Sequence, residues 1–199
     1  MVAVLSTIGL LMGLYVAWRL FWPQRMPTWL KVVLSLLLVG VAVQLRIVAT
    51  FWGTMGSPEI PKLAIAVLAT GSTAVLLLAL MMLVLDAGLL LSRLLRWPRI
   101  VSVLRALKLR PLAGLLALLV SGYGISQGMA VPQPRQIDVA IKDLPAAFDG
   151  YRVLQLTDIH ASRLLTGDWV RRVVDESNAL TPDLIVITGD LIDGSVEAR

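Results

Sequence analysis

Four apolar runs of about twenty residues constrain the fold of this chain more than any other feature. They lie at 2–22, 30–50, 63–85 and 111–131. Each is close to the roughly 20 residues that a helix needs to cross about 30 Å of hydrocarbon. Hydrophobic residues make up 57% of the chain, whereas a soluble domain contains about half. The sequence therefore predicts a region of four transmembrane helices over residues 1–131.

Basic residues predict the orientation of these helices. Lys and Arg are concentrated in the connection at 93–110 and flank the first connection as Arg19, Arg25 and Lys31. Because Lys and Arg are retained in the cytoplasm, both connections should face it, and the residues after 131 should lie outside. We therefore expect an integral membrane protein, with the bilayer as its partner and no nucleic acid. Topology is the preferred explanation of the 93–110 stretch, and binding of anionic lipid headgroups is the alternative.

Two ionisable residues, Arg46 and Asp86, fall within or beside the predicted spans. An intramembrane charge is a candidate for a transport function. Both residues lie within a turn or two of a predicted helix end, however, where a side chain can reach water. The third apolar run continues to Leu91, so its helix is either tilted or leaves the membrane near Asp86. We expect the membrane region to act first as an anchor.

The remaining sequence predicts the beginning of an α/β domain after a proline-containing linker at 132–136. Apolar residues alternate over 137–141 and are dense over 151–157 and 184–188, as in β-strands. Between the last two strands, 166–180 has an apolar stripe at helical spacing, with Thr166 as its predicted cap. The order strand, helix, strand predicts a right-handed crossover that joins two parallel strands.

Acidic residues follow both of these parallel strands. Asp158-Ile159-His160 ends the first, and Gly189-Asp190 ends the second. Residues two apart on an extended chain point to the same side, so Asp158 and His160 can converge on one ion. The carboxyl ends of parallel strands are also where α/β sheets bind ligands.

These strings resemble the calcineurin-like metallophosphoesterases, and more narrowly their membrane-anchored bacterial branch. The resemblance rests on DGYRVLQLTDIH at 149–160 and TPDLIVITGDLIDG at 181–194. It implies that residues 137–199 form the N-terminal part of a sheet sandwich flanked by helices. It also implies hydrolysis of a phosphomonoester or phosphodiester with two divalent ions, of manganese, iron or zinc.

The resemblance assigns a function to individual residues. Asp158 and His160 would bind the first ion, and Asp190 would bridge both. The ions would hold the phosphoryl oxygens and lower the pKa of a water for attack on phosphorus. Gly189 would allow a tight turn beside the ions, and Asp193 would support a ligand or cap a helix. No catalytic residue beyond these metal ligands is identified.

The sequence departs from the family pattern after this point. The family continues with a Gly-Asn-His string, a further His and a Gly-His-x-His string, whereas this chain contains a single His. We expect the front portion of a longer enzyme, with weak metal binding and little turnover by itself. The alternatives are a non-enzymatic four-span membrane protein with a remnant tail, or one half of a split enzyme completed by a protein partner. The phosphoester substrate is not identified, although a site beside a bilayer suggests phospholipid, lipid-linked sugar or another cell-envelope phosphoester.

Overall fold

The computed structural model describes residues 2–54, 56–105 and 108–194, and it contains two compact units. The first unit, Met1–Gly128, is helical, and the second, Met129–Arg199, contains both strands and a helix.

The apolar runs form the helices of the first unit. These helices are α1 (Val2–Leu20), α2 (Thr28–Ala42), α3 (Gln44–Phe51), α4 (Lys62–Leu94), α5 (Pro98–Leu104) and α6 (Leu109–Gly128). Among the described residues, α1, α4 and α6 are each long and apolar enough to cross a membrane, and α2 with α3 gives a fourth span if that bent pair counts as one. The described residues therefore contain a helical region with three or four candidate membrane spans.

The second predicted span is broken rather than continuous. Helices α2 and α3 meet at an angle of 58°. Val43, between them, has φ −102° and ψ 6°, outside the helical range. The amide of Arg46 donates to the carbonyl of Val43 at 3.1 Å, which tightens the first turn after the break. Arg46 consequently lies on the short helix α3, past the bend.

The third predicted span is longer than a bilayer requires. Helix α4 has 33 residues, and at 1.5 Å per residue it is about 50 Å long against roughly 30 Å of hydrocarbon. It continues without interruption through Asp86 to Leu94. A single helix of this length is tilted or extends beyond the hydrocarbon, and both possibilities were open from the sequence.

Small residues allow the membrane helices to pack closely. The core of the first unit joins α1, α4 and α6 and consists of Val16, Val75, Leu78, Ala79, Met82, Ala113 and Ala117. On α1, Gly9 and Gly13 face α2, and a Cβ at Gly9 would lie 2.3 Å from the carbonyl oxygen of Ala42. Such small residues spaced four apart are typical of close helix contacts in membranes.

Asp86 contributes a polar connection between α1 and α4. Its carboxylate accepts a hydrogen bond from the Tyr15 hydroxyl at 2.7 Å and another from Arg19 Nε at 2.8 Å. A second guanidinium nitrogen of Arg19 pairs with the other carboxylate oxygen. The charge of Asp86 is therefore compensated within the helical unit, as a charge at membrane depth requires.

The second unit contains the predicted strand, helix and strand. Strands β1 (Val153–Leu156) and β2 (Leu184–Ile187) are parallel, with Val153 opposite Leu184, and α7 (Gly167–Ala179) connects them. Thr166 occupies the N-cap position of α7, but its side chain makes no capping bond, and its carbonyl accepts the amides of Trp169 and Val170. The start of the α/β domain is present, while the sheet in the described residues has two strands and does not amount to a sandwich.

The expectation of a strand at 137–141 was wrong. These residues have no regular secondary structure, and Val139 is 73% exposed. An alternating pattern alone cannot form a strand, because the backbone groups need a neighbouring strand as hydrogen-bond partner. The dense apolar residues of strand β2 are typical of a strand that is covered on both faces, but Leu184 and Ile187 are 45% and 55% exposed. Both departures have the same cause, since the described part of this unit contains only a small sheet.

Candidate metal centre

Backbone hydrogen bonds hold the two acidic loops side by side beyond the ends of β1 and β2. The amide of Asp158 donates to the carbonyl of Gly189 at 3.3 Å, and the amide of His160 donates to the carbonyl of Asp190 at 2.9 Å. The parallel pairing of the strands thus continues into the loops. Main-chain hydrogen bonds therefore place the candidate ligands near one another, independently of side-chain contacts.

An uncommon backbone conformation recurs at these positions. Asp158, His160 and Asp190 have φ of 54°, 46° and 49°, all in the left-handed region, and Gly189 has φ 126°. Residues other than glycine seldom adopt positive φ, although Asp and His tolerate it better than most. Such strain often accompanies functional sites. At Gly189 the backbone conformation, rather than crowding, favours glycine, because an added Cβ would meet nothing within 4 Å.

The side chains of Asp158, His160 and Asp190 converge. One ligand atom from each lies within 4.8 Å of the others, and His160 Nε2 is 3.8 Å from a carboxylate oxygen of Asp158. The structure therefore brings together the three residues that the sequence singled out. The side chains of His160 and Asp158 are 42% and 62% exposed, so an ion and a substrate could approach from solvent.

Asp193 orients the imidazole of His160. The two groups meet at 2.9 Å between His160 Nδ1 and Asp193 Oδ1. This bond uses Nδ1 and leaves Nε2 beside Asp158. It also raises the pKa of His160 above its ordinary value, an effect that the carboxylates of Asp190 and Asp158 increase. A carboxylate on the outer nitrogen of a metal-binding histidine is a common arrangement, because it fixes the tautomer and the ring orientation.

Threonines beside the acidic residues add contacts that the sequence reasoning did not identify. The Thr157 hydroxyl donates to Asp158 Oδ2 at 2.7 Å, and Gln155 Nε2 donates to the Thr188 hydroxyl at 3.0 Å. Each threonine directly precedes the string that ends its strand. The sequence position of each threonine could have indicated these contacts, because a hydroxyl next to a candidate ligand can restrict the rotation of its carboxylate.

The donor set fits a divalent ion of the first transition row. Two carboxylates and an imidazole combine hard oxygen with borderline nitrogen, which suits manganese, iron or zinc. Asp158, His160 and Asp190 each offer one ligand atom, and these three atoms lie close enough together to hold one ion. In the described residues, Asp158, His160 and Asp190 are the group of side chains that is arranged to hold a metal ion.

Comparisons with known proteins find similarity to phosphoesterases. Residues 151–199 match the family profile described as calcineurin-like phosphoesterase. The chain is 31% identical over 85 residues to a transmembrane protein with metallophosphoesterase domain from Danio rerio, an alignment that covers 43% of this chain and 20% of that protein. It is 35% identical over 74 residues to the uncharacterized metallophosphoesterase YkuE of Bacillus subtilis, which covers 36% of this chain and 26% of the relative.

The chain thus spans about a fifth to a quarter of the length of these curated relatives. No solved structure matches it. The relatives include vertebrate and bacterial proteins, so the similarity extends beyond a single bacterial branch. The resemblance carried by the two acidic strings is confirmed over residues 151–199, which match the calcineurin-like phosphoesterases.

Proposed function

We propose that this chain belongs to a membrane-anchored, metal-dependent phosphoesterase. The observation that carries the proposal is the convergence of Asp158, His160 and Asp190 within 4.8 Å at the ends of two parallel strands. The family match over residues 151–199 and the apolar helices of the first unit support it. The reaction would be hydrolysis of a phosphomonoester or phosphodiester.

Each residue has a defined task in this proposal. Asp158 and His160 would hold one divalent ion, and Asp190 would help to hold both. Bound ions would neutralise phosphoryl charge and lower the pKa of water at the site. Asp193 accepts a hydrogen bond from Nδ1 of His160, and in the neutral imidazole this contact leaves Nε2 without a proton and available as a ligand. The hydroxyl of Thr157 holds the Asp158 carboxylate in place.

The candidate membrane helices and the basic connections support a proposal for the location and the substrate class. We place the protein in a bacterial inner membrane, with the phosphoesterase residues on the extracytoplasmic side, because Lys and Arg cluster at the connections that would face the cytoplasm. A phospholipid, a lipid-linked sugar or another cell-envelope phosphoester would be in reach of such a site. Manganese, iron and zinc all suit the donor set.

Metal binding by the purified chain tests the site directly. We would titrate Mn²⁺ and follow the electron paramagnetic resonance signal of the free ion. Asp158→Asn and Asp190→Asn each remove a charged ligand oxygen and should weaken binding at least tenfold. The exposed Asp175→Asn on α7 removes the same charge elsewhere and should bind Mn²⁺ like the unchanged chain.

Activity is measured on the same samples with bis(4-nitrophenyl) phosphate. Any hydrolysis should depend on the added metal and disappear with the two site variants. If Asp158→Asn, Asp190→Asn and Asp175→Asn all bind Mn²⁺ equally, the three converging side chains do not form the metal site. Hydrolysis that persists after treatment with a chelator would contradict a metal-dependent reaction.

A further inference from the structure

An apolar cavity of about 580 Å³ lies between the helices of the membrane unit. Its wall includes Leu37 and Val41 of α2, Ala74 and Leu78 of α4, and Leu118 of α6. The volume falls in the range of about 300–1,000 Å³ typical of small-molecule sites. Because almost all lining side chains are apolar, the cavity suits a hydrocarbon chain rather than a polar solute.

A second cavity of about 440 Å³ adjoins the first and is basic. It is lined by Gln24, Arg25, Met26, Lys108 and Pro111. Gln24, Met26 and Pro111 line the apolar cavity as well, so the two spaces share one wall. We call the combined space the recess. We call the apolar cavity its body. We call the smaller cavity, which is lined by Arg25 and Lys108, its mouth.

The membrane unit offers these two cations no acidic partner. Residues 1–128 contain eleven Lys and Arg but only two acidic residues, Glu59 and Asp86. Asp86 is occupied by Arg19 and Tyr15, and Glu59 lies in the connection between α3 and α4. In the described parts of the chain, neither Arg25 nor Lys108 has an ion pair or a side-chain hydrogen bond.

We infer that the recess binds one anionic phospholipid, with its phosphate between Arg25 and Lys108 and an acyl chain in the apolar cavity. The apolar body and basic mouth match the two ends of such a lipid. Arg25 and Lys108 lie just outside the helices, and basic side chains beside membrane spans attract anionic headgroups. The inference is independent of the metal centre, since it uses residues of the helical unit alone. It assigns to Arg25 and Lys108 a binding function in addition to any effect on topology.

Headgroup selectivity tests the basic mouth. The full chain would be purified with equal amounts of phosphatidylglycerol and phosphatidylcholine of matched acyl length, and retained lipid measured by native mass spectrometry. The unchanged chain should retain phosphatidylglycerol preferentially. The double variant Arg25→Gln/Lys108→Gln should lower that preference by five- to thirtyfold, as expected for one or two basic contacts of about 1 kcal/mol each.

A matched variant controls for total charge. Arg93 and Arg99 are exposed and line neither cavity, so Arg93→Gln/Arg99→Gln removes two positive charges and should keep the preference. Equal losses in both double variants would overturn the inference, because they would show attraction to net charge alone. Circular dichroism confirms that the variants remain helical.

The acyl chain is tested inside the cavity. Ala74→Trp fills part of the apolar space and should reduce retention of phosphatidylglycerol, whereas Ala69→Trp, at another half-buried alanine of α4 outside the cavity, should not. Inorganic phosphate at 10 mM should fail to displace the lipid. Displacement by phosphate would identify a site for free anions, and unchanged retention in Ala74→Trp would show that the cavity holds no chain; either result overturns the inference.

Discussion

Replacement of Asp86 by leucine should lower the free energy of unfolding of the membrane unit by about 2 kcal/mol. The Asp86 carboxylate accepts bonds from Tyr15 and from two nitrogens of Arg19. Hydrogen bonds between transmembrane helices contribute about 0.6 kcal/mol each on average, and up to about 1.7. Arg19 is only 17% exposed, so leucine at position 86 also leaves a largely buried charge without its partner. Loss of one partner of a fully buried pair costs about 3–5 kcal/mol, and the position of Arg19 in the last turn of α1 reduces that cost through access to water.

A double-mutant cycle separates the pair from its surroundings. Arg19→Leu and Asp86→Leu should each destabilise the unit, whereas the double variant removes both members of the pair and should lose about 1–2 kcal/mol less than the two single losses combined. Tyr15→Phe removes one hydrogen bond and serves as the mild control. Unfolding would be followed by circular dichroism as sodium dodecyl sulfate is added to mixed micelles. Additivity of the two leucine variants within about 0.5 kcal/mol would refute a direct interaction.

Three further predictions concern backbone geometry and the candidate site. Gly9→Ala should separate α1 from α2 and lower the unfolding midpoint in sodium dodecyl sulfate, because its Cβ would lie 2.3 Å from a carbonyl oxygen. Gly124→Ala, where an added Cβ would meet nothing within 4 Å, should not lower that midpoint. Asp193→Asn should lower the pKa of His160 toward its ordinary value, since the bond to Asp193 raises it; the chain has one histidine, so an NMR titration assigns the signal directly, and an unchanged pKa would contradict the contact. Gly189→Ala should lower the free energy of unfolding of the second unit by roughly 1–3 kcal/mol, because alanine disfavours a φ of 126°. An unchanged thermal midpoint would contradict this prediction and show that the backbone at 189 can adopt another conformation.

Local patterns were sufficient to predict the helices and the parallel pair. The helices at 2–22 and 111–131 were predicted from the length of continuous apolar runs. The strand–helix–strand segment was predicted mainly from periodicity, which is visible within a short stretch of chain. The bend at Val43 was not predicted, because all residues near it are compatible with a helix and the break depends on how the helices pack. The strand at 137–141 was wrong, because a strand depends on a neighbour that the pattern itself does not provide.

The candidate site was predictable in its members but not in its geometry. Asp158, His160 and Asp190 were identified from the ends of apolar runs, and spacing indicated that Asp158 and His160 share a side. The positive φ of all three residues was not visible in the sequence, since it arises from hydrogen bonds between the loops. The sequence allowed Asp193 to support a ligand or to cap a helix, and in the structure its carboxylate contacts His160.

The bonds between the two acidic loops have a consequence for how this centre can change. Amide and carbonyl groups hold the Asp158 loop against the Asp190 loop, and such groups are present whatever side chain a residue carries. A ligand can therefore be exchanged for another residue that tolerates positive φ, such as asparagine, without loss of the frame that positions it. Under the proposed function, the metal preference of the site would change one side chain at a time, while the scaffold stays the same.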